Sequence, residues 1–300
     1  MRTIAGIVLF LLAAAHPAPA QDLPDLPPSA RLRALTIDSI AGPIPVYFSR
    51  NLPRAEGDDL RSLMTACVAR YRDAIPVRPA IVLAVLDSAD WERVAAFPYG
   101  LPHYEPADSP VVVLVPATAP KMFLLGVEGE QPDRFFHLLA LHELGHILMY
   151  AAVGVDPGQP WDQTHFPFWY YEYTATHIGY SCLSREADIR AWGQTDSAFQ
   201  DLARPEYTQL DQWTELMTRT TDAGEPFALT PAGLPNFAWY QSLLNTIARR
   251  TVPALGPGIV PLLRAQWARP GPVTTVDIVA DLSSSDPGLT AWLRAVGAVK

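Results

Sequence analysis

The stretch ALHELGHILMY at residues 140–150 constrains the fold of this chain more than any other segment. From 133 to 153 the residues are apolar on nearly every side of a helix, so the pattern predicts a helix buried at the centre of the molecule. Three ionisable side chains, His142, Glu143 and His146, interrupt this apolar surface. Because burying an ionisable group without a partner is unfavourable, these three residues are the first candidates for a functional site.

The spacing of the two histidines predicts a metal site. Side chains four residues apart lie on the same side of a helix, one turn from each other, so His142 and His146 can both bind one metal ion at distances of about 2.0–2.1 Å. Glu143 lies about 100° further round the helix, where it can reach a metal-bound water. Together they form H-E-x-x-H, in which the histidines bind zinc and the glutamate is the general base. Two core histidines with local hydrogen bonds are the alternative.

A catalytic zinc site needs a third protein ligand and leaves one coordination position for water. The metzincin continuation of the motif requires glycine at 149 and histidine at 152, and Met149 and Ala152 exclude that class. The candidates are the ionisable residues that follow on the next loop and helix, namely Asp156, Asp162, His165, Glu172 and His177.

Glu172 is the strongest of these candidates. It falls within a second predicted helix, residues 168–183, which begins just after a proline. Small residues on the same side, Ala175 and Gly179 among them, would let this helix approach the first one closely, and such a face is an unusual place for a solvated charge. Asp156 is the runner-up and would give a His/His/Asp site on a tighter loop.

HELGH followed by WYYEYTA resembles the gluzincin metallopeptidases, of the broad peptidase-MA-like group. Members carry H-E-x-x-H on one helix and W-x-x-E-G-x-A on the next. Trp169, Glu172 and Ala175 match the second pattern, whereas Tyr173 replaces its glycine. In some gluzincins the residue four positions after the ligand glutamate is a carboxylate that supports a histidine ligand, and here that residue is Thr176.

The resemblance covers about residues 80–295 and implies a zincin-like α+β fold with one Zn²⁺ per chain. It also implies that a peptide or protein is the substrate and that the activity is peptide-bond hydrolysis by a zinc-bound water. In this scheme Glu143 takes the proton of the water and passes it to the leaving amine. A tyrosine or histidine of the helical half would stabilise the oxyanion, with Tyr240 as first candidate and His177 as second. A plain core position for Tyr240 is the alternative.

Several runs upstream of the motif predict strands. The segments 80–87 and 110–117 are short and apolar, and 33–49 has two β-rich runs that predict a hairpin. By analogy with zincins, residues 111–115 would form an edge strand that binds a peptide backbone; an interior strand is an equal alternative. His103 falls in a predicted loop before this strand and could line the cleft.

Other features bear on the surroundings of the site. Residues 58–74 have the apolar spacing of a helix, with Asp58 as its N-cap. His137, one turn before the motif, is interpreted as a packed or supporting residue, and His165 as a loop residue near the entrance of the site. Aromatic residues between 166 and 173 are interpreted mostly as core, with one or two facing the substrate.

The beginning of the chain predicts export. Residues 1–20 have a basic start, an apolar run and an Ala-Pro-Ala cleavage site, which is the pattern of a signal peptide; an uncleaved anchor is the alternative. An extended lead-in at 21–30 precedes an N-terminal α/β lobe, 31–155, that carries the motif. A helical C-terminal lobe, 156–300, supplies the third ligand. The mature protein is therefore expected in the periplasm or outside the cell, without stable membrane insertion.

Composition narrows the partners and leaves two points open. The net charge of −9 argues against a nucleic-acid partner. Cys67 and Cys182 either form a disulfide or remain two buried thiols. The rival functions are an exported zinc protein that recognises peptides without cleaving them, and a purely structural helical protein that binds no zinc.

Overall fold

A computed structural model describes residues 26–51, 54–95, 99, 102–105, 110–117, 135–159, 161–221 and 227–300. The predicted signal peptide at 1–20 lies outside the described residues, as does the lead-in up to 25. The rest of the predicted extended lead-in is wrong from residue 28, where a helix begins. Pro28 stands at the first helical position, where its fixed φ angle suits a helix and its missing N–H is not needed.

The architecture is mixed α+β, as predicted, with the strands in the first part of the chain and a mostly helical remainder. The helices are α1 (Pro28–Ala34), α2 (Arg54–Arg70), α3 (Ser88–Trp91), α4 (Phe135–Val153), α5 (Phe168–Ser181), α6 (Glu186–Leu202), α7 (Trp213–Thr218), α8 (Leu234–Leu255), α9 (Ile259–Trp267), α10 (Thr275–Ser283) and α11 (Leu289–Ala295). Among the described residues, no helix combines the length and apolar character needed to span a bilayer.

The described strands form one five-stranded sheet. They are β1 (Asp38–Ile40), β2 (Val46–Phe48), β3 (Ile81–Leu86), β4 (His103–Glu105) and β5 (Val111–Pro116). The order is β1-β2-β3-β5-β4; the inner pairs β2–β3 and β3–β5 are parallel, and the outer pairs are antiparallel. The predicted hairpin and both predicted apolar strands are therefore confirmed.

The predicted edge position of residues 111–115 is wrong, because β5 lies between β3 and β4. The edge strand on that side of the described sheet is β4, whose His103 pairs with Leu114 and whose Glu105 pairs with Val112. His103 accordingly lies in a strand and not in the predicted loop. Three residues are too few to show the alternation that identifies a strand in a sequence, and what holds β4 is its pairing with β5 and the burial of Tyr104 in the core.

The helix that carries the motif lies at the centre of the molecule, as predicted. α4 packs on α5 along one side and contacts β5, α2 and α9 on the others. Gly154 follows it with a φ of 72°, the left-handed conformation that commonly ends a helix. One continuous core cluster extends from Ile40 in the sheet to Ala298 near the C-terminus, so the two predicted lobes share a single core.

Two features of α2 differ from, or resolve, the sequence-based expectations. The predicted N-cap at Asp58 is wrong, because the helix begins at Arg54 and Asp58 instead pairs with Arg61 at 3.1 Å. Cys67 of α2 and Cys182, directly after α5, form a disulfide, which resolves the alternative left open by the sequence. This bond joins α2 to the C-terminal end of the helix that carries Glu172.

Candidate metal centre

His142 and His146 of α4 and Glu172 of α5 come together as one cluster whose possible ligand atoms all lie within 4.8 Å of one another. The Nε2 atoms of the two histidines are 3.1 Å apart. Glu172 Oε2 lies 3.2 Å from Nε2 of His142 and 3.8 Å from Nε2 of His146. The third ligand that the sequence favoured is therefore the one that the fold brings to the histidines.

These distances fit a shared metal ion. Ligand atoms held about 2.0–2.1 Å from a tetrahedral centre are about 3.3–3.4 Å apart, and the three separations of 3.1, 3.2 and 3.8 Å scatter around that value. The donor set of two imidazole nitrogens and one carboxylate oxygen suits a divalent transition metal. The cluster could therefore hold a metal ion without rearrangement of its helices.

The electrostatics of the cluster also favour a cation. Burial lowers the pKa of His146 well below its ordinary value, and the neighbouring His142 lowers it further. Burial acts in the same direction on His142, but the hydrogen bond and the charge of Glu172 outweigh it, so the pKa of His142 is raised. A cation bound at this position would be stabilised by the charge of Glu172, as a proton on His142 is.

Close packing of the two helices makes this convergence possible. A Cβ atom on Gly179 of α5 would lie 3.1 Å from the carbonyl oxygen of Leu141. A Cβ atom on Gly145 would come much closer to Ala175, at 2.4 Å from its carbonyl oxygen. The predicted role of the small residues in bringing the helices together is confirmed.

Thr176 supports one of the histidines. Its Oγ1 lies 3.2 Å from Nδ1 of His142. In the tautomer that binds a metal through Nε2, the Nδ1–H of His142 donates to this hydroxyl, which fixes the orientation of the ring. Thr176 occupies the position at which some gluzincins have a carboxylate. It still contacts His142, but through a neutral hydroxyl oxygen instead of a charged carboxylate oxygen.

Glu143 is partly exposed and directly follows the first histidine on α4. Burial, together with the charge of Glu172, raises the pKa of its carboxyl to about 7, although His142 and His103 act in the opposite direction. A carboxyl group in such surroundings can accept and release a proton near neutral pH. Glu143 is the acidic residue of the H-E-x-x-H motif, and it is not among the possible ligands of the cluster.

The other candidates for the third ligand lie outside the cluster. Asp156 is exposed and accepts a hydrogen bond from the Gly158 amide at 2.7 Å. Asp162 accepts bonds from Thr164 and His165 within its own turn. His165 is partly buried and packs on Phe166 and Trp267.

Neither residue expected to stabilise the oxyanion belongs to the cluster. Tyr240 is fully buried, packs on Trp213 and Trp239, and donates its hydroxyl proton to the Gln209 carbonyl. His177 is also fully buried, and burial lowers its pKa to about 4. The core interpretation of Tyr240 is thus the one that agrees with its contacts.

His177 and Tyr173 belong to the same hydrogen-bond network, which connects α5 to Thr251 of α8. Nε2 of His177 lies 3.1 Å from the Gly256 carbonyl, and Nδ1 lies 3.0 Å from Thr251 Oγ1. The Tyr173 hydroxyl contacts the same Thr251 oxygen at 2.9 Å. The tyrosine that replaces the glycine of the gluzincin pattern therefore points into the helical core.

Three tyrosines that the motifs did not single out surround His146. Tyr171 stacks on its ring, Tyr104 lies beside it on β4, and Tyr150 follows it by one turn of α4. Burial raises the pKa of all three, that of Tyr150 to about 12, so their hydroxyls remain neutral donors. The four-residue spacing from His146 could have identified Tyr150, whereas nothing local identifies Tyr104.

His137 and His103, which the structure also describes, have partners other than the ligand atoms. His137 lies 3.4 Å from Asp59 of α2, which agrees with its interpretation as a packed residue. His103 lies 3.2 Å from Glu105 on β4.

No protein-family model matches this chain, and no curated protein does so either.

Proposed function

We propose that this chain is an exported zinc-dependent metallopeptidase with a zincin-like fold. The observation that carries the proposal is the convergence of His142, His146 and Glu172 at the spacing of a tetrahedral metal site, with Glu143 beside them. Two nitrogen ligands and one oxygen ligand leave a fourth position, as in catalytic zinc sites. A structural zinc site would use all four positions for protein ligands.

The residues divide the work between holding the metal and moving a proton. When bound, zinc supplies Lewis acidity, which lowers the pKa of a water molecule and polarises a carbonyl group. His142, His146 and Glu172 hold their ligand atoms in place on two packed helices. Glu143 removes the proton of the attacking water and delivers it to the nitrogen of the leaving amine.

Export is supported by two independent features. Residues 1–20 have the signal-peptide pattern. The disulfide between Cys67 and Cys182 fits an oxidising compartment, since such bonds are rare in proteins kept in the reducing cytosol. The proposed location is therefore the periplasm or the outside of the cell, with peptides or proteins as substrates.

The decisive experiment compares the purified wild-type protein with Glu143→Gln. Metal content is measured by elemental analysis, and hydrolysis is measured on a broad peptide library. We expect about one zinc per chain in both proteins. The hydrolysis rate of the variant should be lower than that of wild type by about 10²–10⁴-fold. Retained activity in Glu143→Gln would overturn the mechanism.

The same experiment separates the rival functions. A wild-type protein that contains zinc but cleaves no peptide would be a zinc-dependent recognition protein. A protein that contains no metal would be a purely structural one. Treatment with a chelator is the control for a contaminating serine or cysteine peptidase, whose activity would survive the removal of zinc.

A further inference from the structure

The two histidines of the cluster are oriented by different means. His142 has its Nδ1 atom 3.2 Å from the hydroxyl of Thr176. Nδ1 of His146 is buried and has no hydrogen-bond partner among the described residues. Since the ring of a ligand histidine is usually fixed through its second nitrogen, the orientation of His146 requires another explanation.

Direct stacking on the ring of Tyr171 explains the orientation of His146. The centroids of the His146 and Tyr171 rings are 4.0 Å apart, with an angle of 21° between their planes. Tyr104 contributes a second, tilted ring contact, with its centroid 6.0 Å from that of His146. Because His146 is only 4% exposed, protein groups and not solvent determine the plane of its ring.

Tyr171 is itself held by two further tyrosines from different elements. Its hydroxyl oxygen lies 3.0 Å from that of Tyr104, which is on the edge strand β4. The ring of Tyr150, on α4, meets the ring of Tyr171 edge to face, with centroids 6.2 Å apart. A rotation of Tyr171 would therefore break contacts with both β4 and α4.

We propose that Tyr171 is a positioning residue for His146, and that Tyr104 through its hydroxyl and Tyr150 through its ring keep Tyr171 in place. The inference rests on the metal site proposed above and concerns how this chain prepares it. A ring that is already immobile keeps Nε2 aimed at the point it shares with His142 and Glu172. Metal binding then does not have to order the side chain, so affinity increases.

Zn²⁺ affinity, measured by competition with a chromophoric chelator, tests the proposal without any assay of activity. Tyr171→Leu removes the ring and the hydroxyl, whereas Tyr171→Phe removes only the hydroxyl. We expect Tyr171→Leu to weaken Zn²⁺ binding about 10–100-fold, as the loss of a supporting contact does. Tyr171→Phe keeps the ring and should retain most of the affinity that Tyr171→Leu loses. Equal affinity of Tyr171→Leu and wild type would overturn the proposal.

The contribution of the hydroxyls is tested by a double-mutant cycle. Tyr104→Phe and Tyr171→Phe remove the two ends of the same contact, so their effects on Zn²⁺ affinity should be similar and should not add in the double variant. Additive effects, or affinities equal to wild type, would show that the hydroxyls do not hold the ring. These variants decide the matter if Tyr171→Leu does not fold.

Tyr173→Leu is the matched control on the same helix. Tyr173 is fully buried, and its hydroxyl contacts Thr251 of α8, which is not part of the cluster. This variant should lower thermal stability and leave Zn²⁺ affinity unchanged. If it weakens binding as much as Tyr171→Leu, general loosening explains both results and the inference fails. A wild-type protein that binds no Zn²⁺ would instead refute the proposed metal site.

Discussion

Gly145 of α4 lies so close to Ala175 of α5 that a Cβ atom at position 145 would be 2.4 Å from the Ala175 carbonyl oxygen and 2.8 Å from its Cα. Gly145 directly precedes His146, and Ala175 follows Glu172 by three residues. This close approach of the two helices is thus next to the ligand residues in the sequence. The missing side chain of one residue brings a carboxylate on one helix within reach of two imidazoles on the other.

Gly145→Ala should therefore separate the helices and loosen the metal site. The added methyl group would meet rigid backbone, and overpacking of this kind destabilises a protein by about 1–3 kcal/mol. We also expect weaker Zn²⁺ binding, since Glu172 moves away from the histidines. Chemical denaturation and chelator competition measure the two effects.

Gly193→Ala is the control for the Gly145 substitution, because Gly193 lies within α6 with no atom within 4 Å of its added Cβ. There the same change should stabilise the protein by about 0.5–1 kcal/mol through helix propensity. If Gly145→Ala were as stable as wild type, the helices would not depend on this contact.

The identity of the third ligand predicts a difference between two acidic residues. Glu172→Ala should remove the metal. Loss of a supporting contact weakens metal binding about 10–100-fold, and loss of a direct ligand weakens it more. Asp156→Ala should retain about one metal per chain, since Asp156 is exposed and bonded within its own turn. Elemental analysis after dialysis distinguishes them, and the reverse pattern would make Asp156 the ligand.

The contact between Thr176 and His142 predicts a supporting role for a hydroxyl group. Thr176→Val keeps the shape of the side chain and removes the acceptor, so Zn²⁺ affinity should fall by about tenfold or more. Thr176→Ser keeps the acceptor and should bind nearly as wild type does.

The matched control for the threonine is on the same helix. Thr174 is fully buried, and its hydroxyl donates to the Tyr170 carbonyl at 2.8 Å. Thr174→Val should change stability without changing Zn²⁺ affinity. If Thr174→Val and Thr176→Val weaken binding equally, the contact with His142 has no particular role.

The lowered pKa of His177 predicts how the stability of the fold depends on pH. Burial lowers its pKa to about 4 in the folded protein, whereas an unfolded chain has a histidine pKa of about 6.5. Between these values the unfolded state binds more protons, so the stabilisation is complete above about pH 6.5 and is lost as the pH falls towards 4. The loss amounts to about 3 kcal/mol for this residue.

His177→Gln isolates that contribution from those of the other histidines. The free energy of unfolding of metal-free protein, measured by denaturation between pH 4 and 7, should depend less steeply on pH in the variant than in wild type. Equal slopes would mean that His177 keeps an ordinary pKa in the fold.

The sequence by itself determined the two helices and the residues that carry the ligand atoms. Both helices follow from local patterns: an apolar run ended by Gly154, and a second helix that begins after Pro167. The four-residue spacing of His142 and His146 follows from helix geometry alone. Glu172 could be ranked first, because its neighbours on the helix face are small.

Only the tertiary structure decided which distant groups surround those ligands. The contact of Tyr104 with Tyr171 joins residues 67 positions apart, and the disulfide joins residues 115 positions apart. No local periodicity encodes such pairs, since they depend on how β4, α2 and α5 pack round α4. The same packing made β4 an edge strand, although the sequence pattern predicted a loop at His103. It also gave Tyr240 the buried contacts of a core residue, which the sequence had left as one of two alternatives.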